Sequence, residues 1–363
     1  MAHFKFFRLC GWYLACACFG ISDVACAQSC EPQYAPATFP FRADPSSPKG
    51  HPVNVGIVTK GFVALRDTKV VHGIDVSKWQ DQTDFTSLRQ CLEVVDHSRG
   101  IGPMHAPFVY VRLTAGEDPD NETLFRAHWY NARNQNLYVG PYHSLVVKDS
   151  PTTTASMNEG DFTKIRNENL MSADVQANTF VKRFGHLLLA DPLRDVAPGD
   201  HGKPYLPIVL ALMERPQQRY GDDDRRVIGK AYGASACRWI ETVHRHPSFA
   251  GQRIIVFTSA SIFSDYDLGN APCDLRAGGI WISLHTSDGS RDGVDRTEPT
   301  ARAIADLCKT PDGANRCIFQ QYTSYGGFAL FGKDSPLDLD RFYGSEADLA
   351  ALLQHARHPE EWK

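Results

Sequence analysis

A rhythm of short apolar runs most constrains what this chain can fold into. Eight recur, each bounded by polar residues or Gly/Pro punctuation: "GIDV" (73–76), "FVYVRL" (108–113), "LYVGPY" (137–142), "PIVLALM" (207–213), "RIIVFT" (253–258), "GIWIS" (279–283), "CIFQQY" (317–322) and "PLDL" (336–339). Near-continuous Val/Ile/Leu/Phe character marks strands covered on both faces, as in a parallel sheet wrapped by helices. Helical patterns lie between several of them. In "DNETLFRAHWYNARNQN" (120–136), Asp120 is placed to cap, and Phe125, Trp129 and Ala132 share one face. A second helix is expected over "DRRVIGKAYGASACRWIETVHRH" (224–246) and a third over "SEADLAALLQHARH" (345–358), whereas loops join the last strands. This order predicts an α/β fold, an irregular TIM-like β/α barrel of eight strands with helices missing between the last of them.

Other segments have different characters. "MAHFKFFRLCGWYLACACFGISDVACA" joins Lys5 and Arg8 to an apolar stretch and a small-residue ending, so residues 1–27 read as a secretory signal peptide and the mature protein as secreted or periplasmic. Acylation at Cys16, Cys18 or Cys26 is the less favoured alternative, since none has a Leu three residues before it. Residues 28–65 are a Pro/Ser-rich linker or strap, and residues 66–363 form one barrel domain. No stretch of the mature chain is apolar for long enough to span a membrane.

Of ten cysteines, Cys10, Cys16, Cys18 and Cys26 belong to the signal, leaving Cys30, Cys91, Cys237, Cys273, Cys308 and Cys317. An even set in an exported chain favours disulfides, and the short loop between Cys308 and Cys317 makes them the first pair to propose. Neither C-x-x-C nor H-E-x-x-H occurs, so no metal or other cofactor is expected. A formal net charge of -4 gives no basic field for a nucleic-acid backbone, and nucleic acid is not an expected partner. The acidic "GDDDRR" (221–226) reads as a solvated first helical turn, and "HTSDGSRDGVD" (285–295) as a surface loop.

In β/α barrels the chemistry gathers at the carboxyl ends of the strands. The side chains there are Asp75, Arg112, Thr114, Tyr142, His143, Glu214, Thr258, Trp281, His285, Gln321, Tyr322 and Asp338. Asp75, Glu214 and Asp338 come from three distant segments, and carboxylates flanking one bond are what glycoside hydrolysis needs. A Glu directly after seven residues without a polar side chain marks Glu214 as the acid candidate. Tyr142, Trp281 and Tyr322 offer flat rims for sugar rings, with Arg112 and Gln321 beside them. His143 is expected as a hydrogen-bonded wall of the site.

Several of these segments carry a family likeness. "HGIDVSKWQ" resembles the G-I-D-V-S-x-W-Q opening of glycoside hydrolase family 25, the Chalaropsis-type lysozymes, and "FVYVRLTAG" its strand ending K-A-T-E-G. "NARNQNLYVGPYHSL" is similar to A-R-x-A-G-L-x-V-G-x-Y-H-F, "RIIVFTSASIF" to I-I-Y-T-S, "GIWISLH" to L-W-I-A-x-Y, and "FQQYTSYG" to W-Q-Y-T-S-x-G. "SPLDLDRFYGSEADLAAL" is similar to the V-D-L-N-x-F-x-G-S tail.

The resemblance implies a metal-free enzyme that acts on peptidoglycan glycan strands, cleaving between N-acetylmuramic acid and N-acetylglucosamine; the protein is expected to be a monomer. The resemblance places Asp75 on the first-strand catalytic-site Asp, Asp338 on the V-D-L-N Asp, and Glu214 on the Glu of the D-x-E strand, the general acid. Leu212 stands where D-x-E has its Asp, or Ala211 with a one-residue slip; Ala115 replaces the Glu of T-E-G and Arg112 its Lys. The expected function is a divergent muramidase. The alternatives are a catalytically impaired glycan-binding descendant and a glycosidase for a modified, deacetylated glycan.

Overall fold

The computed structural model describes residues 70–355 apart from 79, 81–82, 84, 87–107, 120–121, 148–158, 191–203, 214–221, 285–303, 305, 310–314 and 327–336. The expected signal segment, the Pro/Ser-rich segment, the Asp120 cap, Cys30, Cys91, Glu214 and His285 lie outside the described residues, as does the side chain of Tyr322.

All eight apolar runs are strands. β1 (Val70–Val76), β2 (Phe108–Ala115), β4 (Tyr138–Ser144), β5 (Ile208–Leu212), β6 (Ile254–Thr258), β7 (Ile280–Ser283), β8 (Cys317–Gly326) and β9 (Leu337–Tyr343) follow one another around a closed barrel, and a two-residue β3 (Asp118–Pro119) pairs outside it on β2. Pairing is parallel from β1 through β8. β9 closes the ring antiparallel to both β8 and β1, which makes the barrel mixed. An antiparallel neighbour needs no helical crossover, which accounts for the change of rhythm at the end of the chain.

Side chains alternate between two cores. Ile74, Val76, Val109, Val111, Val139, Ile208, Leu210, Leu212, Ile254, Val256, Ile280 and Ile282 face outward under the helices. Val71, Phe108, Tyr110, Tyr142, Val209, Ala211, Ile255, Phe257, Trp281, Phe319 and Phe342 face inward. Aromatic rings plug the lumen: Trp281 lies 4.4 Å from Phe257 and 4.8 Å from Tyr110, and Phe319 lies 5.2 Å from Phe108 and 5.0 Å from Phe342, measured between centroids. Two inward positions are Gly to admit these rings. A Cβ on Gly73 would lie 2.5 Å from the Phe108 ring, and one on Gly140 would lie 2.3 Å from that of Tyr110.

Helices cover the outer face: α1 (Glu122–Asn134), α2 (Glu159–Ala190), α3 (Asp222–Arg245) and the short α4 (Ala260–Asp265), whereas α5 (Glu346–Ala350) packs Leu349 against the lumenal cluster. The expected stripe of α1 is present, with Phe125, Trp129 and Ala132 buried. α3 matches its expected extent, and α5 is shorter than expected, though capped by Ser345 in a reciprocal capping box with Asp348. The sequence reading contained no counterpart of α2, a helix of 32 residues. Its buried stripe runs through Ile165, Asn169, Ser172, Ala173, Gln176, Ala177, Phe180, Val181 and Phe184, at helical spacing but with polar residues at three positions, which hides it from a reading based on apolar period.

Disulfides join Cys308 to Cys317, the pair proposed from the sequence, and Cys237 to Cys273, which ties α3 to the segment before β7. Among the described residues no helix is long and apolar enough to cross a membrane, and no three His, Cys, Asp or Glu side chains group as metal ligands do.

Candidate active site

Strand polarity decides which side chains meet. β1 ends where β9 begins, so Asp75 lies directly opposite Asp338 in the antiparallel register. The turn after β1 is closed by other residues: the backbone N–H and the hydroxyl of Ser77 both donate to Gln80 Oε1, at 2.8 and 3.2 Å. Asp75 therefore does no turn work. Its carboxylate faces the lumen with 3 % exposure.

Neighbouring strands supply its partners. The Tyr142 hydroxyl of β4 donates to Asp75 Oδ1 at 3.3 Å, and Gln321 Nε2 of β8 donates to Oδ2 at 2.9 Å. Gln321 is itself held by the Ser283 hydroxyl, which donates to its Oε1 at 3.2 Å. Arg112 of β2 is half-buried and its charge acts on Asp75. A register shift between Arg112 and Thr114 lets Arg112 pair with inward Tyr142 while Thr114 pairs with outward His143. Burial raises the Asp75 carboxyl from its ordinary 3.8 to about 6, against the lowering influence of hydrogen bonds from Gln321, Tyr142 and Asp340 and the charge of Arg112.

Asp340 was not foreseen. It follows Asp338 by two positions on β9, so both belong to one face, and it is fully buried. The Trp281 indole N–H donates to its Oδ1 at 3.0 Å. Burial, followed by the charges of Asp75 and Asp338, pushes its carboxyl well above the usual range. A signal was present, since D-L-D alternation puts two carboxylates on the same side of a strand, but motif matching selects only the first.

Asp75, Tyr142, Gln321, Arg112 and Asp338 thus converge at one end of the barrel. Trp281 differs from its expected place on the rim: its exposure is 0 %, and it packs inside the lumen because inward parity on β7 puts Trp281 one layer below Ser283. On β5, inward parity belongs to Val209 and Ala211; Leu212, where the D-x-E comparison puts its Asp, faces the helices.

His143 also differs from its expected role. It follows inward-facing Tyr142, so alternation turns it outward, where it stacks on Trp239 of α3 at 5.1 Å. Gln176 of α2 donates through Nε2 to the Val146 carbonyl and accepts the Val146 N–H at Oε1, which fixes the orientation of its amide. His143 Nε2–H therefore donates to Gln176 Oε1 at 3.0 Å, and Nδ1 accepts the Thr114 hydroxyl at 2.7 Å. Burial lowers the imidazole from 6.5 to about 3, so it is neutral and structural.

Residues 74–182 match Glycosyl hydrolases family 25. Over that segment the chain is similar to that family. The matched segment carries Asp75, Arg112 and Tyr142 and ends within α2, before β5. Lysozyme M1 of Streptomyces globisporus is 23% identical over 295 residues, which cover 80% of this chain and 73% of that protein. The modular autolysin LytC of Streptococcus pneumoniae, solved alone and with a synthetic peptidoglycan ligand, is 15% identical over 76% of this chain, with a TM-score of 0.42. This chain covers 47% of LytC, less than half its length.

Proposed function

We propose that the protein is a lysozyme-type muramidase that cleaves the bond between N-acetylmuramic acid and N-acetylglucosamine in peptidoglycan glycan strands, acting as a monomer outside the cytoplasm after removal of residues 1–27. The observation that carries this reading is the Asp75 carboxylate, lumenal at the strand end, held by Tyr142 and Gln321, within the segment that matches the family. Glu214, which follows Met213 beyond β5, is the proposed general acid. Asp75 and Asp338 supply negative charge for the oxocarbenium-like centre. Arg112, Gln321 and Tyr142 position the sugar and the carboxylates, Tyr322 offers a ring to it, and Trp281 supports the site from below. Residues 66–363 are proposed to be a single catalytic domain.

The test is turnover of purified peptidoglycan with mass analysis of the products. Muropeptides ending in reducing N-acetylmuramic acid are expected from the wild type, with none from Glu214→Gln or Asp75→Asn; full activity in either variant removes that residue from the mechanism.

One observation favours a second reading, a catalytically impaired glycan-binding protein. The inward position of β5 nearest the mouth is Ala211, so no carboxylate enters the lumen there, whether the D-x-E Asp is matched to outward Leu212 or, with a one-residue slip, to Ala211. Losing one member of a catalytic carboxylate set costs about 10²- to 10⁴-fold in rate when nothing replaces it. Binding to cell walls with no new reducing ends after long incubation selects this reading. A third, cleavage of deacetylated glycan, requires faster turnover of deacetylated than of acetylated walls.

A further inference from the structure

The Asp340 carboxyl presents a hydrogen-bonding problem. It is fully buried, its Oδ1 accepts the Trp281 indole N–H, and its Oδ2 meets no donor among the described residues. The group it does meet is the carboxyl of Asp75, its hydrogen-bond partner. Two carboxylates cannot bond to one another, because each is only an acceptor when ionised. One proton between them resolves both difficulties, giving Oδ2 a hydrogen to donate and leaving one negative charge where two would repel in a desolvated lumen.

Local geometry explains how the pair can form. Asp340 lies opposite Gly73 in the β1–β9 register, so no side chain from β1 competes for its space, and Asp75 is the next inward residue along β1. The family tail V-D-L-N carries Asn at the corresponding position, and an amide there would donate to Asp75 without a titratable proton. A protonated Asp is the other side chain of that shape that can donate.

We propose that Asp340 is a positioning residue that holds Asp75 as one half of a carboxyl–carboxylate pair sharing a single proton, with Asp340 O–H donating to the Asp75 carboxylate. This rests on the reading of Asp75 as the anionic group of the site. The pair carries one negative charge in its working form. Taking up a second proton neutralises Asp75, and losing the shared proton leaves Asp340 as a second anion that repels it. Among the described residues, the titratable and charged groups facing the pair are Tyr110 and Arg112 on β2, Tyr142 on β4 and Asp338 on β9; Trp281 and Gln321 donate without titrating.

Infrared spectroscopy of the full-length protein at neutral pH reads the proton directly, as the carbonyl stretch of a buried protonated carboxyl. To remove the carboxyl of the proposed general acid, the band is read in Glu214→Gln: it is expected there, absent when Asp340→Asn is added, and lost on alkaline titration. Asp340→Leu, with no donor, is expected to lose at least about tenfold in activity, with Asn restoring most of it. A band that persists when Asp340→Asn is added to Glu214→Gln, or that is missing from Glu214→Gln itself, overturns the pair. Should Asp340→Asn fail to fold, the Glu214→Gln band and its alkaline loss decide alone. Asp75→Asn separates the two readings: if it still hydrolyses wall while the band behaves as stated, the pair stands and the catalytic assignment of Asp75 falls.

Discussion

Replacing His143 with Gln removes a buried imidazole but keeps side-chain hydrogen-bonding capacity between Thr114 and Gln176. The imidazole is lowered from 6.5 to about 3 by burial. Because the folded value is depressed, its stabilising contribution is fully present above the unfolded value and is lost as pH falls, when the unfolded chain takes up a proton that the folded chain refuses. Over this window the loss approaches about 1.4 kcal/mol per pH unit, which amounts to about 3 kcal/mol between pH 7.5 and pH 4. Asp75 works in the opposite direction over part of the same range: its raised value gives a contribution present at low pH and lost as pH rises through about 6. That contribution is common to both proteins, so the difference between wild type and His143→Gln isolates the imidazole. Urea unfolding followed by tryptophan fluorescence is the assay, with Trp239 stacked on the ring as a local probe. The disadvantage of the variant should shrink by about 3 kcal/mol on going from pH 7.5 to pH 4. Parallel stability curves over that range would refute a neutral, buried His143.

Wall hydrolysis should rise as pH increases through about 6, where Asp75 ionises, and a flat profile from pH 5 to 7 would remove Asp75 as the required anion. Trp281→Phe keeps an aromatic ring in the lumen but deprives Asp340 Oδ1 of its donor, for an expected loss of about 1–3 kcal/mol in denaturant unfolding. Gly140→Ala forces a methyl group to within 2.3 Å of the Tyr110 ring, and a loss of about 1–3 kcal/mol should appear as a lower thermal midpoint. Removing Cys237–Cys273 by the double Ser substitution opens a link of 36 residues and should cost about 3–4 kcal/mol, read by guanidinium unfolding under oxidising conditions.

The strands were legible because burial on both faces makes each run apolar regardless of register. What register decides was harder to read. Tyr142 and His143 look equivalent at a strand end, yet alternation sends one to the carboxylate and the other into the helical layer. Trp281 followed the same rule inward rather than up to the rim. Asp340 was hidden by its companion Asp338, and its importance depends on the antiparallel direction of β9, which no local pattern carries. α2 escaped because Asn169, Ser172 and Gln176 occupy its buried stripe; Gln176 is there to bond His143, so the polar network that orients one misread residue also conceals the helix.

Barrel closure through β9 has a consequence for when activity can first arise. Asp75 belongs to the first barrel strand, and its partners Gln321 and Asp340 to the last two. A chain emerging from a ribosome or a translocon holds Asp75 early but lacks these partners until nearly all of it has been made. On the proposed assignment of Asp75, catalytic competence coincides with the final strand pairing, and a product truncated before β9 would lack both the seam of the barrel and the groups that set Asp75, leaving incomplete copies inert.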